Sequence, residues 1–307
     1  MKLQDLDAAG LRARMRDGGL TLRLSPFTVR VRSDIPHLAD DVAAMYRDFD
    51  LLDDEAFVDF HVAVLRSPHW LSRLQGRAEF WFDGQRSFTP LPAAQALAML
   101  EWGINWCIAA HAHQYLLIHA AVLERDGRAL LMPAPPGSGK STLCAALAHR
   151  GWRLLSDELG LLDMRTGLVH GMARPINLKN TSIPVIRDFA PGALFSASMP
   201  NTSKGTVALV RAPQDAIDAR LAPARPAWVV LPAWRADAPA QLTPIERARA
   251  FMDLAEQSFN YDVHGQAGFQ ALGRLVGACG CHRFEYSRLD EAVACFEALA
   301  RAPEVAP

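Results

Sequence analysis

The stretch "APPGSGKST", residues 134–142, constrains this chain more than any other, because an apolar strand pattern runs into it and a helical pattern, "STLCAALAHR", runs out of it. It matches G-x-x-x-x-G-K-[ST] at every place except the first, where Ala134 replaces glycine. Such a loop turns backbone N–H groups toward an anion at a helix N-terminus, where the helix dipole adds attraction. Gly137 and Gly139 supply the freedom to turn. Pro136, Gly137, Ser138, Gly139, Lys140, Ser141 and Thr142 are therefore candidate nucleotide-binding residues, with Lys140 reaching the β and γ phosphates and Ser141 offering its hydroxyl to Mg²⁺. Alanine at the first place is tolerable, since that position mainly lets the chain leave the strand. Strand, glycine-rich loop and helix together form the context that such a loop requires, and the expected fold class is α/β, an α+β mixed sheet.

The whole chain has 307 residues, half of them hydrophobic, enough for one large domain or two of ordinary size. No apolar run approaches the roughly 20 residues of a membrane span, and the charged opening "MKLQDLDAAGLRARMRDGG" lacks the apolar stretch of a signal peptide. A cytoplasmic location with no membrane partner is expected. Lys plus Arg number 32 against 33 Asp plus Glu, so no global basic field draws nucleic acid. The five cysteines lack the spacing of a disulfide framework and read as reduced and mostly buried.

Alternation dominates the N-terminal part. "FTVRVR" at 27–32 and "FVDFHVAV" at 57–64 read as half-buried strands, and "AEFWFDGQRSF" as two strands around an Asp83-Gly84 turn. Residues 92–113 predict one long apolar helix entered through Pro92, with Leu97, Leu100, Ile104 and Ile108 at helical spacing, packing the two halves together. "YLLIHAAVLERDGRALLMPAP" predicts a strand, a turn at Asp126-Gly127 and the strand that enters the loop. The loop's helix ends at Gly151 as an αL cap, and "WRLLSDELGLLD" then supplies a strand ending near Asp157 and another after it. "KGTVALV" and "AWVVLPAW" read as strands; "PIERARAFMDLAEQSF" and "LDEAVACFEALARA" read as amphipathic helices. The expected division is an N-terminal α/β region, 1–110, suited to a substrate or partner, and a nucleotide-binding catalytic domain, 111–307.

Asp157 falls seventeen positions after Lys140, at the end of the next strand after the loop's helix, and Glu158 adjoins it. A carboxylate beside a γ-phosphate can orient Mg²⁺ or accept the proton of an attacking hydroxyl, and two adjacent carboxylates can divide those roles. Neighbouring strand residues face opposite sides, so both reach one site only where the strand is ending. "SDELG" permits that.

These segments together, "LIHAAVLERDGRALLMPAPPGSGKSTLCAALAHRGWRLLSDELGLLD", resemble the catalytic domain of HPr kinase/phosphorylase, and more closely the bacterial HprK-related kinase A family. "LEWGINWC", "ARPINLKNTSI", "TSKGTVAL" and "QSFNYDVHG" support the likeness, which covers most of the chain for the related kinases and about residues 115–260 for HPr kinase itself. The resemblance implies a core shared with phosphoenolpyruvate carboxykinase, Mg²⁺-dependent transfer of the γ-phosphoryl group of ATP to a hydroxyl, and a homo-oligomer. It implies Asp157 as the catalytic acid/base, Glu158 near the metal, and His119 as a positioner of phosphate. The chain departs from the pattern in having Glu rather than Asp at 158, and Met172, within "GMARPINLKN", where a further acidic metal ligand is expected. Those departures leave the reverse, phosphorylase reaction and HPr as acceptor outside what is implied. Arg174, Lys179 and Lys204 are the expected charge stabilisers, and Lys204-Gly205 resembles a flexible loop that closes over nucleotide.

His111 and His113, two apart on the expected helix, face different directions and are read as ordinary polar positions rather than metal ligands. Cys279-Gly-Cys281-His282 has too short a spacing for zinc and no distant partner pair. The expected activity is a serine kinase acting on a peptide or protein. A small-molecule acceptor stays open, and the rival class is an ATP-binding switch that transfers nothing.

Overall fold

The computed structural model describes residues 1–303. The chain begins with α1 (Ala8–Asp17), capped by Asp7, whose carboxylate accepts the Gly10 N–H at 2.6 Å. β1 (Leu20–Arg23), β2 (Thr28–Ser33), α2 (Pro36–Tyr46), β3 (Phe60–Arg66), α3 (Trp70–Leu74), β4 (Arg77–Phe82), β5 (Gln85–Arg86) and β6 (Leu91–Pro92) follow. The strands form one sheet in the order β1-β2-β3-β4-β5, with β6 also on β4; β2 and β3 are parallel and the other pairs antiparallel. Val29, Val31, Val62 and Val64 are all buried, which accounts for the alternation. The strand expected from Phe57 starts at Phe60, and Phe57 is exposed.

α4 (Ala96–His111) is shorter than the expected helix at both ends. Pro92 is extended and pairs with Arg77 in the sheet, so a 3-10 turn over 93–95 precedes the helix, and His113 lies in the turn beyond its end. The helix is buried nearly all round, as its apolar composition requires. It lies so close to β4 that a Cβ on Gly103 would stand 2.1 Å from the Phe80 ring. Only glycine permits that approach.

The expected strand after α4 is two strands, β7 (Leu116–Ile118) and β8 (Ala120–Arg125), which join different sheets with His119 at the break. The break has a local cause: the His119 N–H donates to the Gln257 carbonyl at 2.6 Å. β9 (Arg128–Pro133) returns from a turn in which Asp126 and Gly127 both have positive φ, as a two-residue hairpin loop requires. Then come α5 (Lys140–Ala148), β10 (Arg153–Ser156), β11 (Gly160–Leu162), β12 (Val169–His170), β13 (Ile176–Lys179), α6 (Ser182–Phe189), β14 (Met199–Thr202), β15 (Gly205–Val210) and α7 (Gln214–Asp218). β16 (Arg225–Trp234), β17 (Gln241–Pro244), α8 (Arg247–Glu256), α9 (Tyr261–Ala278), β18 (Gly280–Tyr286) and α10 (Leu289–Arg301) complete the chain.

The central sheet runs β10-β8-β9-β16-β18-β17, with β9, β16 and β18 parallel and the flanking pairs antiparallel. Two three-stranded sheets, β12-β11-β7 and β13-β15-β14, lie beside it. The architecture is a mixed α/β fold. One apolar cluster runs from Leu3 to Ala300 and takes in α4 and α5; a second packs α8 and α9 against the central strands. Cys279 and Cys281 are buried in that second cluster. No helix among the described residues is long and apolar enough to cross a membrane.

Candidate functional site

The loop between β9 and α5 opens onto a cavity of about 700 Å³. Its left-handed residues are Gly137 and Gly139, with φ of 90° and 88°. Ala134 is buried at the end of the strand and is not among the left-handed positions, so the missing first glycine removes no conformation that the loop uses. Two residues from much later in the chain clamp the loop. The Trp234 N–H donates to the Ser138 carbonyl at 2.9 Å, and the Tyr286 hydroxyl donates to the Gly139 carbonyl at 3.0 Å. A Cβ at Gly139 would stand 2.5 Å from that hydroxyl.

Lys140 opens α5 and is 7% exposed, yet its Nζ has no hydrogen-bond partner among the described residues. Burial lowers its proton affinity, and the nearby Asp157 and Glu158 counter that effect. Ser138 Oγ and both side-chain polar atoms of Asn177 are likewise buried without partners. An unmatched buried polar group costs about 1–3 kcal/mol, more when charged. A cluster of them around a glycine-rich helix N-terminus fits a phosphorylated ligand with a bound cation.

The carboxylate pair sits where β10 ends. Asp157 is 6% exposed, accepts the Asn177 N–H at 3.1 Å through Oδ2, and leaves a buried Oδ1 unpaired. Its pKa is pushed up to about 6, first by burial and then by the adjacent Glu158, while Lys140 pulls it down. Glu158 lines the cavity, and Asn105 Nδ2 donates to its Oε2 at 2.7 Å. Asp157 stands behind that wall, beside Ser141 and Lys140. His119 also lines the cavity, its ring 5.7 Å from that of Phe259. Burial, with Lys140 adding to it, holds the imidazole down to about 4, so it is neutral at ordinary pH.

The expected charge stabilisers part company here. Lys179, at the end of β13, lines the cavity. Lys204 lies in the β14–β15 turn with its Nζ 4.7 Å from the Trp102 ring centroid. Arg174 is 8% exposed and is held in an ion pair with Glu101 at 3.1 Å and a hydrogen bond to Asn105 Oδ1. Its charge is committed to α4. Neither His111 nor His113 lines the cavity, and the His111 ring lies tilted against Phe82, centroids 4.9 Å apart.

Sequence reasoning missed Trp234, Tyr286, Asn105, Asn177 and Glu101. The two α4 residues carried a signal. Glu101 and Asn105 are one turn apart on a helix otherwise apolar, and buried polar groups on such a face need partners.

Comparison with known proteins finds a family model and solved structures to which the chain is similar. No curated protein matches the chain. The HPr(Ser) kinase/phosphatase from Coxiella burnetii is similar over 60% of this chain and 96% of its own, at 14% identity and a TM-score of 0.26. The family model described as SynChlorMet cassette protein ScmC matches residues 93–174, a segment that runs from α4 through the glycine-rich loop and the carboxylate pair to Arg174.

Proposed function

We propose that the chain is an ATP-dependent kinase that transfers the γ-phosphoryl group to a hydroxyl, with serine in a peptide or protein as the acceptor. The observation that carries this reading is the buried, unpartnered Lys140 ammonium at the head of α5, close enough to the buried Asp157, which has one unpaired oxygen, for each to shift the other's proton affinity. The acceptor oxygen would bond to the γ-phosphorus as the bond to the bridging oxygen breaks; ADP leaves, and the acceptor's proton passes to Asp157 Oδ1. Lys140 and the loop N–H groups hold the phosphates, Lys179 adds positive charge in the cavity wall, and Lys204 adds charge near Glu158 from the β14–β15 turn. His119, as a neutral imidazole, donates or accepts a hydrogen bond without adding charge. Ser141 and Glu158, with Asp157 beside them, would hold Mg²⁺, which would supply charge neutralisation on the phosphate oxygens. The sequence resemblance to HPr kinase and its relatives points the same way. The cassette named in the family model suits an acceptor encoded as another product of such a cassette.

One observation favours a second division of labour. Glu158 is in the cavity wall and Asp157 is behind it, so Glu158 is the better placed to meet an acceptor and Asp157 to face Ser141. The test is transfer from γ-labelled ATP to candidate serine peptides by the wild type, Asp157→Asn and Glu158→Gln. Full loss in the Asp157 variant with residual transfer in the Glu158 variant supports the first assignment, and the reverse pattern supports the second. Tight nucleotide binding with no transfer to any acceptor would replace the kinase by a switch.

A further inference from the structure

We infer that Asn105, on the N-terminal helix α4, is the positioning residue for the Glu158 carboxylate, and that Glu101 and Arg174 are there to fix Asn105. The inference rests on the phosphoryl-transfer reading of the site. It also gives a use to two stretches, "LEWGINWC" and "ARPINLKN", that the loop chemistry leaves unexplained.

The polar chain is continuous. The Tyr46 hydroxyl donates to Glu101 Oε1; Arg174 Nη1 donates to Glu101 Oε2 at 3.1 Å; Arg174 Nη2 donates to Asn105 Oδ1; Asn105 Nδ2 donates to Glu158 Oε2 at 2.7 Å. Chemistry settles which way the amide points. A guanidinium only donates, so the Asn105 oxygen must face Arg174, and the NH₂ group must then face the carboxylate. Glu101, Arg174 and Tyr46 are all buried, which leaves this arrangement few alternatives. α4 also meets the β14–β15 turn, where the Trp102 ring lies 4.7 Å from the Lys204 Nζ. The N-terminal region therefore stands behind the wall that Glu158 forms and holds that residue from outside the cavity.

Asn105→Asp is the informative variant. It keeps the shape and the acceptor that Arg174 needs, but puts a second carboxylate where Glu158 had a donor. Asn105→Ala removes both contacts. Three readouts are taken: the Kd for ADP with Mg²⁺ by calorimetry, the steady-state rate of ATP hydrolysis, and the position of the Glu158 side chain in crystals of each variant. Expected are an ADP affinity within about threefold of wild type, a kcat lowered about tenfold to a hundredfold in both variants, and no further loss when Asn105→Ala is added to Glu158→Gln. In the crystals Glu158 takes a new rotamer. Wild-type turnover in Asn105→Asp, or losses that multiply in the double variant, overturns the inference. The readouts separate the two ideas: a wild type that transfers phosphate to no acceptor sinks the kinase reading, and an unmoved Glu158 in the variant crystals sinks this one.

Discussion

A carboxyl that is 6% exposed, with one oxygen unpaired and a second carboxylate adjoining it, is useful chemically and unfavourable for folding. Asp157 titrates at about 6 in the folded chain against an ordinary 3.8. Between those values the folded chain keeps a proton that the unfolded chain has released, so Asp157 lowers stability as pH rises through that window, and the loss persists above it. Asp157→Asn has no proton to lose. The variant should therefore melt above the wild type at pH 8, by on the order of 1–3 kcal/mol, and the difference should vanish as the pH falls below 3.8. His119 has the opposite sign: its pKa falls from 6.5 to about 4, so its contribution to stability is gained as pH rises through that range. Comparing the two proteins at each pH removes the His119 contribution. Activity should follow the ionised Asp157, rising through about pH 6 if it accepts the proton. A pH–rate profile with no limb in that region would move the proton acceptor elsewhere.

At the level of elements, two contacts of α4 decide its place. Gly103 permits the helix to lie on Phe80, and Gly103→Ala would force a methyl group to within 2.1 Å of that ring. The cost is about 1–3 kcal/mol, measured as a lower urea midpoint at unchanged slope. The second contact is the buried Glu101–Arg174 pair at 3.1 Å. Removing one partner strands the other charge in the interior, so Glu101→Ala should cost about 3–5 kcal/mol and is expected to lower the thermal midpoint far more than Asn105→Ala. Equal melting of Glu101→Ala and the wild type would show that Arg174 finds water instead. The same helix shows what local pattern can and cannot reveal. Its apolar spacing announces a buried helix between the two halves, and the loop, the Asp157-Glu158 pair and the Asp126-Gly127 turn are legible because each is specified within a few residues. Arg174 reads as a charge for the cavity because nothing in its own stretch, "GMARPINLKN", offers it an acidic partner. Its true neighbours, Glu101 and Asn105, lie about seventy residues away in the chain. Trp234 and Tyr286 escape notice for the same reason, since only the parallel order β9-β16-β18 brings their strands up to the loop. A strand pattern cannot foretell that His119 breaks it, because the Gln257 carbonyl that draws away its N–H comes from the end of a distant helix.

For the whole molecule, the question is whether the sequence boundary near residue 110 separates two bodies. Leu97, Leu100, Ile104, Cys107 and Ile108 are each 2% exposed or less, and they belong to one apolar cluster that also holds Phe80, Leu143, Ile176 and Phe296. Arg220 pairs with Asp50, and Arg211 pairs with Asp48 at 2.6 Å, both across the boundary. A chain cut there would expose the seam under α4 and leave Arg174 buried without Glu101. A fragment of residues 111–307 should therefore keep its glycine-rich loop in sequence but fail to fold on its own. The expected result is weak near-ultraviolet circular dichroism, no cooperative thermal transition, and no calorimetric heat on addition of ADP with Mg²⁺. Adding a separately produced fragment of residues 1–110 should restore part of the transition, because the missing surface is a preformed half of one core. An isolated 111–307 that melts cooperatively and binds ADP like the full chain would show instead that α4 only decorates a self-sufficient nucleotide domain.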